Sequence, residues 1–377
     1  MREQPLILIV EDNPASLEIM QVRLEASDYR VITATDGEEG LAKAQSSLPD
    51  LILLDVMMPK MDGLEVCRRL KNNDRLPFMP IIMVTAKTDT KDVIAGLEAG
   101  GDEYLTKPVD HGSLVARVKS MLRIKELHDT VIAQSTQLEN QLKTASKIQT
   151  LFWPELPTPE GGIRTWAVSQ PASYVGGDFY DAIILPDKSV LAYVADVSGK
   201  GVPAALIMAA VSTKIRAEAS LQQNLNLILR AVNGSMYELA STEGYFATVL
   251  LLKYWPRMRK IEMIRAGHIN PVLVSPTGVR EISGLKGVSL GVMEEVDYEL
   301  AELVLEPGES LLLFSDGVTE AENASVEQFG YQRLIDQLST SKSFPHGEGL
   351  LESVREWRGQ AVVNDDLTIF EIGCDPD

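Results

Sequence analysis

Five short apolar runs, each followed by an amphipathic stretch, fill the first ~120 residues and leave few folds open. The runs are LILIV (6–10), YRVITA (29–34), DLILLDV (50–56), PIIMVTA (80–86) and EYLTKP (103–108). Several are apolar throughout, as parallel strands are when both faces are covered. Helical patterns such as Gly63–Lys71 and Lys91–Ala99 lie between them. Strands that alternate with helices in this way predict an α/β domain with a five-stranded, doubly wound parallel sheet.

Polar residues gather where these runs end. Glu11 and Asp12 follow the first run, Asp55 ends the third, Thr85 the fourth and Lys107 the fifth. In a parallel sheet all five fall at the carboxyl edge, where such folds bind ligands. Three carboxylates alone would repel one another. A hard divalent cation removes that conflict, and oxygen ligands with open water positions suit Mg²⁺. Asp55 would then lie beside a metal, a hydroxyl and an ammonium, groups that stabilise a phosphoryl group on its carboxylate. The Lys107–Pro108 bond is a candidate cis peptide.

The motifs VEDN, DLILLDVMMPKMDG, MVTAK and DEYLTKP, within residues 5–125, resemble the receiver domain of two-component response regulators. The resemblance implies that Asp55 is the phospho-acceptor. It also implies that Glu11, Asp12, Asp55 and the Met57 carbonyl hold Mg²⁺, and that Thr85 and Tyr104, with Lys107, form the switch. The phosphoryl donor would be a cognate histidine kinase or phosphotransfer protein. The alternative for this region is a flavodoxin-like domain with chance acids.

From about Leu114 to Phe152 the chain has neither proline nor glycine. Apolar residues recur at Ile124, Leu127, Val131, Leu138, Ala145, Ile148 and Phe152, with Gln134 and Gln141 in the same register. Gaps of three, four and seven fit a heptad seam. The pattern predicts a long helix that pairs as a parallel coiled-coil homodimer. The alternative is a single amphipathic helix packed along one domain. The stretch WPELPTPEGG stops the helix.

Beyond about Ile163 strand-like runs arrive in pairs: SVLAYVADV, FATVLLLKYW, KIEMIRAG, PVLVSPTGVREI, ESLLLFSDG and DDLTIFEIG. Two helical stretches, about Pro203–Ser220 and Leu225–Leu239, are inserted together. Hairpins with grouped helices indicate an α+β domain of two antiparallel sheets flanked by helices. The expected division is 1–123, a helical linker 124–152, and 153–377.

Four acidic motifs punctuate the last part: VGGDFYD (Asp178), ADVSGKG (Asp196), FSDGVTEA (Asp316) and NDDLTIF (Asp365, Asp366). Carboxylates with no His or Cys among them read as an all-oxygen site for Mg²⁺ or Mn²⁺. Gly176, Gly177, Gly199 and Gly201 allow carbonyls and a bulky anion to approach. Two such ions about 3.5–4 Å apart could hold a hydroxide and clamp phosphate oxygens for in-line attack.

These motifs, with ASKIQTLFWPELP, AGHINPVLV and GVSLGV, cover about 145–374. They resemble the PPM-type metal-dependent serine/threonine phosphatases, in the bacterial branch of sporulation and sigma-factor regulators. The resemblance implies that Asp196 bridges two Mn²⁺ or Mg²⁺ ions and that the Val197 carbonyl, Asp178, Asp316 and Asp365 complete the site. Asp366 would orient its neighbours, and Asp181 would be outer-shell or structural. His268 reads as a structural histidine before a general acid, Lys200 as a solvated turn residue before a phosphate ligand, and Thr248 as a sheet residue. The implied reaction is hydrolysis of a phosphoserine or phosphothreonine protein, in this branch an anti-sigma-factor antagonist. An inactive adaptor that binds a sigma factor or its regulator is the alternative.

Composition limits the partners. The formal net charge of −19 argues against nucleic acid or an anionic membrane as the main partner. Cys67 and Cys374 are far apart and suggest no disulfide framework, which fits a reducing cytoplasm. The N-terminal apolar run is too short for a signal peptide or a membrane span.

Overall fold

The computed structural model describes residues 4–86, 90–156, 163–240, 243–341 and 343–375. The chain divides into two units, Met1–Glu139 and Asn140–Asp377.

In the first unit β1 (Leu6–Val10), β2 (Arg30–Ala34), β3 (Leu51–Asp55), β4 (Ile81–Thr85) and β5 (Glu103–Thr106) form one parallel sheet in the order β2-β1-β3-β4-β5. The three inner strands are buried along their whole length. Their alternation feeds two cores. Ile7, Ile9, Leu51, Leu53, Ile82 and Val84 pack against α1 (Pro14–Glu25) and the start of α5 (His111–Gln149). Leu8, Val10, Ile52, Leu54, Ile81 and Met83 pack against α2 (Gly37–Ser47) and α3 (Gly63–Lys71). The helix starts are written locally. Asn13, Asp36 and Asp62 each cap a helix by accepting the N–H of the residue three places on. The helix α4 (Thr90–Glu98) completes the set between β4 and β5.

Helix α5 is one continuous element of 39 residues, followed by a short 3₁₀ turn, Thr150–Phe152. It begins three residues before the sequence pattern suggests. Leu114, Val118, Met121 and Leu122 are buried in the first unit's core, whereas Ile124, Leu127, Val131, Leu138 and Ile148 are exposed. Pro157, Pro159, Gly161 and Gly162 of the stretch expected to stop the helix lie outside the described residues.

In the second unit β7 (Phe179–Ile184), β8 (Val190–Val197), β9 (Ala247–Trp255), β10 (Lys260–Ala266) and β13 (Leu300–Val304) form one antiparallel sheet, ordered β13-β10-β9-β8-β7. A second is ordered β12-β11-β14-β15-β6, from β6 (Ile163–Gln170), β11 (Val272–Ser275), β12 (Gly278–Glu281), β14 (Ser310–Phe314) and β15 (Leu367–Cys374). Alternate residues make the sandwich. Val190, Ala192, Val194, Leu250 and Leu252 face Leu311, Leu313, Phe370 and Ile372 between the sheets. Leu191, Tyr193, Ala195 and Leu251 face outward to α6 (Val202–Leu221) and α7 (Leu225–Ala240). On the other outer face, Leu312, Phe314 and Ile369 meet α9 (Gly330–Thr340) and α10 (His346–Arg358).

The sequence patterns miss β6, β7 and β13, and also α9 and α10. In β13 only alternate residues are half-buried, so its pattern is weak. In α9 the buried residues are few, Leu334 and Leu338.

Asp181 lies on the helix-facing side of β7 and is fully buried. It pairs with Arg216 of α6 at 2.7 Å through both carboxylate oxygens and accepts the Tyr193 hydroxyl at 3.1 Å. Burial pushes its carboxyl up, and Arg216 works against that. Removing the acid takes the carboxylate from Arg216 and leaves the Tyr193 hydroxyl with only its contact to the Ser212 hydroxyl at 3.3 Å. Asp181→Ala is expected to destabilise the second unit by about 1–3 kcal/mol, since the half-exposed Arg216 can turn to solvent. Tryptophan fluorescence during denaturant unfolding reads that unit, because Trp153, Trp166, Trp255 and Trp357 all belong to it.

Candidate functional site

At the carboxyl edge of the first sheet, ligand oxygens of Glu11, Asp12 and Asp55 lie within 4.8 Å of one another. Glu11 and Asp55 are buried and Asp12 is exposed, so a cation there would keep open positions. The Lys107 ammonium lies 2.9 Å from Asp55 Oδ2 and 2.6 Å from Glu11 Oε2. Burial disfavours the ammonium, but the bonds to Asp55 and Glu11 more than offset it, so its pKa is raised. Burial also pushes the Glu11 carboxyl up. Met57 N–H donates to Asp55 Oδ1 at 3.3 Å, and the Lys107–Pro108 peptide is cis. Thr85 is buried one strand away from Asp55. Tyr104 is half-buried on β5, with the Arg117 guanidinium 5.6 Å from its ring centre.

In the second unit the acids come from four strand ends. The alternation that sends Val190, Ala192 and Val194 between the sheets sends Asp196 the same way. Asp178 precedes β7, Asp316 opens the short helix α8 (Asp316–Thr319) after β14, and Asp365 and Asp366 precede β15. Asp366 Oδ2 accepts the N–H of Gly177 at 2.6 Å and of Asp178 at 3.3 Å. Its Oδ1 accepts the N–H of Ala172 at 2.7 Å. A Cβ on Gly176 would lie 2.3 Å from Asp366 Oδ2, and one on Gly177 2.7 Å from the Val197 carbonyl. Only glycine lets the main chain pass this close.

Asp178 is buried, and its Oδ2 is sealed from solvent with no hydrogen-bond partner. Burial, then the neighbouring Asp196, drives its carboxyl well above the usual range, while hydrogen bonds to Ser315 and Thr368 pull the other way. Asp196 is pushed up to about 7, by burial first and then by Asp316 and Asp365, with a hydrogen bond to Asp178 opposing. Asp316 is raised by burial and by Asp365. These acids are near enough to perturb one another.

Among the described residues, the first unit's trio is the one group of three ligand side chains that closes to 4.8 Å. The second unit's four aspartates do not. Like charges spread apart, and Asp365 is drawn off by Lys200, whose Nζ is 3.2 Å away and also donates to the Asn364 carbonyl. An orphaned buried carboxylate oxygen, a carbonyl brought in over a glycine, and an all-oxygen donor set nonetheless fit divalent cations shared among several acids.

His268 lies away from solvent, 2.7 Å through Nδ1 from the Thr248 hydroxyl. Burial lowers its imidazole to about 4, so it is neutral at pH 7. Thr248 pairs with Asp196 across β8 and β9 and therefore shares its face of the sheet. Asp181 faces the helices instead. Ser315, Thr368 and Gln149 were not singled out by the sequence patterns. Gln149 is buried and holds the main chain of Gly176. A glutamine inside the apolar run IQTLF was the available signal.

The profile of the Stage II sporulation protein E (SpoIIE) family matches residues 186–375, half of the chain. That of the response regulator receiver domain matches residues 7–119. The alkaline phosphatase synthesis transcriptional regulatory protein PhoP of Bacillus subtilis is 48% identical over 134 residues, 36% of this chain and 53% of its own length. The chain thus spans about half the length of that curated relative. The SiaA-PP2C domain of Pseudomonas aeruginosa superposes with a TM-score of 0.56 at 25% identity, over 64% of this chain and 99% of that domain. The RsbU and RsbW domains of Rv1364c from Mycobacterium tuberculosis share the fold, with a TM-score of 0.50 at 24% identity, over 58% of this chain and 61% of theirs.

The raised carboxyls set a pH dependence. A folded pKa above the ordinary 3.8 means that the Asp196 contribution is full below that value and is lost as pH rises through about 7. Without divalent cations, the tryptophan-reported unfolding midpoint is expected to fall between pH 5 and pH 8. Saturating Mn²⁺ should restore it, and Asp196→Asn should flatten the metal-free profile.

Proposed function

The chain belongs to the SpoIIE family and carries a response regulator receiver domain ahead of the family's region, and from that premise we propose that it is a phosphorylation-controlled phosphatase acting on a phosphoserine or phosphothreonine protein. What supports the reading is that Asp178, Asp196, Asp316 and Asp365 stand at strand ends near enough to perturb one another, and that Asp178 carries a sealed carboxylate oxygen without a hydrogen-bond partner.

Bound Mn²⁺ or Mg²⁺ would supply an acidified water and screen the phosphate's charge. Asp196, Asp178, Asp316, Asp365 and the Val197 carbonyl would hold the ions. Asp366 keeps the 176–178 segment in place through main-chain hydrogen bonds. Burial and repulsion by neighbouring acids raise the Asp178 and Asp196 carboxyls, and divalent cations held there would favour their charged forms. No activated serine or cysteine lies among these groups, so the reading needs no covalent enzyme intermediate.

In the receiver, Asp55 is the acceptor for a phosphoryl group from a histidine kinase or phosphotransfer protein. Glu11, Asp12, Asp55 and the Met57 carbonyl would hold Mg²⁺, Lys107 would pair with the phosphoryl oxygens, and Thr85 and Tyr104 would form the switch. The linker, 124–152 of the proposed division 1–123, 124–152 and 153–377, would pass the change on as a homodimeric coiled coil. The exposure of Leu127 (58%), Val131 (62%) and Leu138 (57%) supports that pairing, since a lone solvated helix gains nothing from them. The substrate in this reading is an anti-sigma-factor antagonist, and the setting is the cytoplasm. No helix among the described residues is long and apolar enough to cross a membrane.

Mn²⁺-dependent hydrolysis of p-nitrophenyl phosphate tests the reading. Wild type should turn over with Mn²⁺, and Asp196→Ala should fall to the rate without metal. Equal, near-zero rates for both, with and without beryllofluoride, would instead favour an adaptor that binds a sigma factor or its regulator. Beryllofluoride should change the wild-type rate and leave Asp55→Ala unchanged. Light scattering should give a dimer mass, and Leu127→Glu with Val131→Glu should give a monomer.

A further inference from the structure

Gln149 is the last residue of α5, and its side chain is buried in the second unit at 7% exposure. Its amide makes a two-way pair with one glycine. Nε2 donates to the Gly176 carbonyl at 2.6 Å, and Oε1 accepts the Gly176 N–H at 3.2 Å. The next two residues, Gly177 and Asp178, give their N–H groups to Asp366. Gly176 itself has no room for a Cβ against the Asp366 carboxylate. The three-residue segment is thus held from one side by the helix end and from the other by Asp366. It carries Asp178 and packs over the Val197 carbonyl.

The geometry points to Gln149 as a positioning residue that fixes Asp178, on the segment packed over the Val197 carbonyl, for cation binding and makes the cation site depend on where the end of α5 lies. The inference rests on the reading of Asp178, Asp196, Asp316 and Asp365 as cation ligands. Gln149 touches neither the cation nor the substrate and acts through Gly176. Glutamine suits this task because a glycine's peptide groups present one donor and one acceptor side by side, and a carboxamide answers both. Neighbours that orient ligands in this way change metal affinity by about 10–100-fold when removed. A helix end that turns or withdraws by one residue takes the carboxamide about 100° around the axis, beyond reach of Gly176. The segment would then hang from Asp366 alone.

The test is the Mn²⁺ affinity of the full-length protein by isothermal titration calorimetry, counting the binding that Asp196→Ala abolishes. Gln149→Met keeps length and helix preference and loses both hydrogen bonds. It is expected to weaken that binding about 10–100-fold. Gln149→Glu still accepts from Gly176 N–H and should fall between Met and wild type. Gln137→Ala, on an exposed turn of the same helix, should match wild type. Tryptophan fluorescence shows that each variant is folded before titration. A folded Gln149→Met with wild-type Mn²⁺ affinity, whether or not its unfolding midpoint has dropped, would overturn the positioning role and leave the cation reading intact. Wild type and Asp196→Ala with identical titrations would remove the cation reading and this inference with it. If Gln149→Met does not fold, Gln149→Glu decides: weakened binding supports the role and wild-type binding ends it.

Discussion

A single carboxylate organises the second half of the molecule. Asp366 receives three main-chain N–H groups, from Ala172, Gly177 and Asp178. Such charge-assisted bonds are short and directional. They require the residue 176–178 segment to run flat against the carboxylate, which is why position 176 carries no side chain, while a Cβ at 177 would meet the Val197 carbonyl on the other side. Asp178 has its burial and its direction from that arrangement. The Val197 carbonyl approaches the same segment, 2.7 Å from where a Cβ on Gly177 would be. Any chemistry of the aspartate group therefore depends on a residue that has used its own oxygens to hold the main chain.

The two halves meet the same electrostatic problem, acids crowded at strand ends, with different means. In the first, Lys107 is bonded to both Asp55 and Glu11 and compensates two carboxylates at once. The trio so compensated is one that could hold a cation. In the second, Lys200 reaches Asp365 and leaves Asp178 and Asp196 to share a burial penalty. That pair must take up a proton or a cation. The ion pair of Lys200 and Asp365 is exposed and worth little.

The legible parts of the sequence were those with a strong local period or a local cap. The inner strands of the parallel sheet, apolar throughout, and the helix Gly63–Lys71 between Asp62 and Asn72 could be read almost to the residue. The acids were legible as types at strand ends, because a strand's period of two fixes which face each occupies. Edge elements were not. β13 pairs on one side and buries little, so its residues carry no clear pattern. Distance-dependent facts were also hidden. Nothing in NDDLTIF tells which of two adjacent aspartates turns to the main chain, and nothing in VSGKG tells that Lys200 bridges to the loop before β15. Both are settled by residues more than a hundred positions away.

Helix α5 shows how one element can belong to two cores. Leu114, Val118, Met121 and Leu122 are buried at its start and Gln149 at its end, and the residues between are largely exposed. A helix without proline or glycine in its interior does not kink easily, so a change imposed at one end arrives at the other as rotation or translation rather than as bending. An apolar residue at position 149 would tolerate such a shift by sliding. A carboxamide paired in both directions with a single peptide would not, since either bond is lost within a few tenths of an ångström to an ångström. The sharpness of a hydrogen-bonded pair, set at the last turn of a stiff helix and one residue from the glycine over Val197, is what would convert a graded movement into a two-state effect on the aspartates.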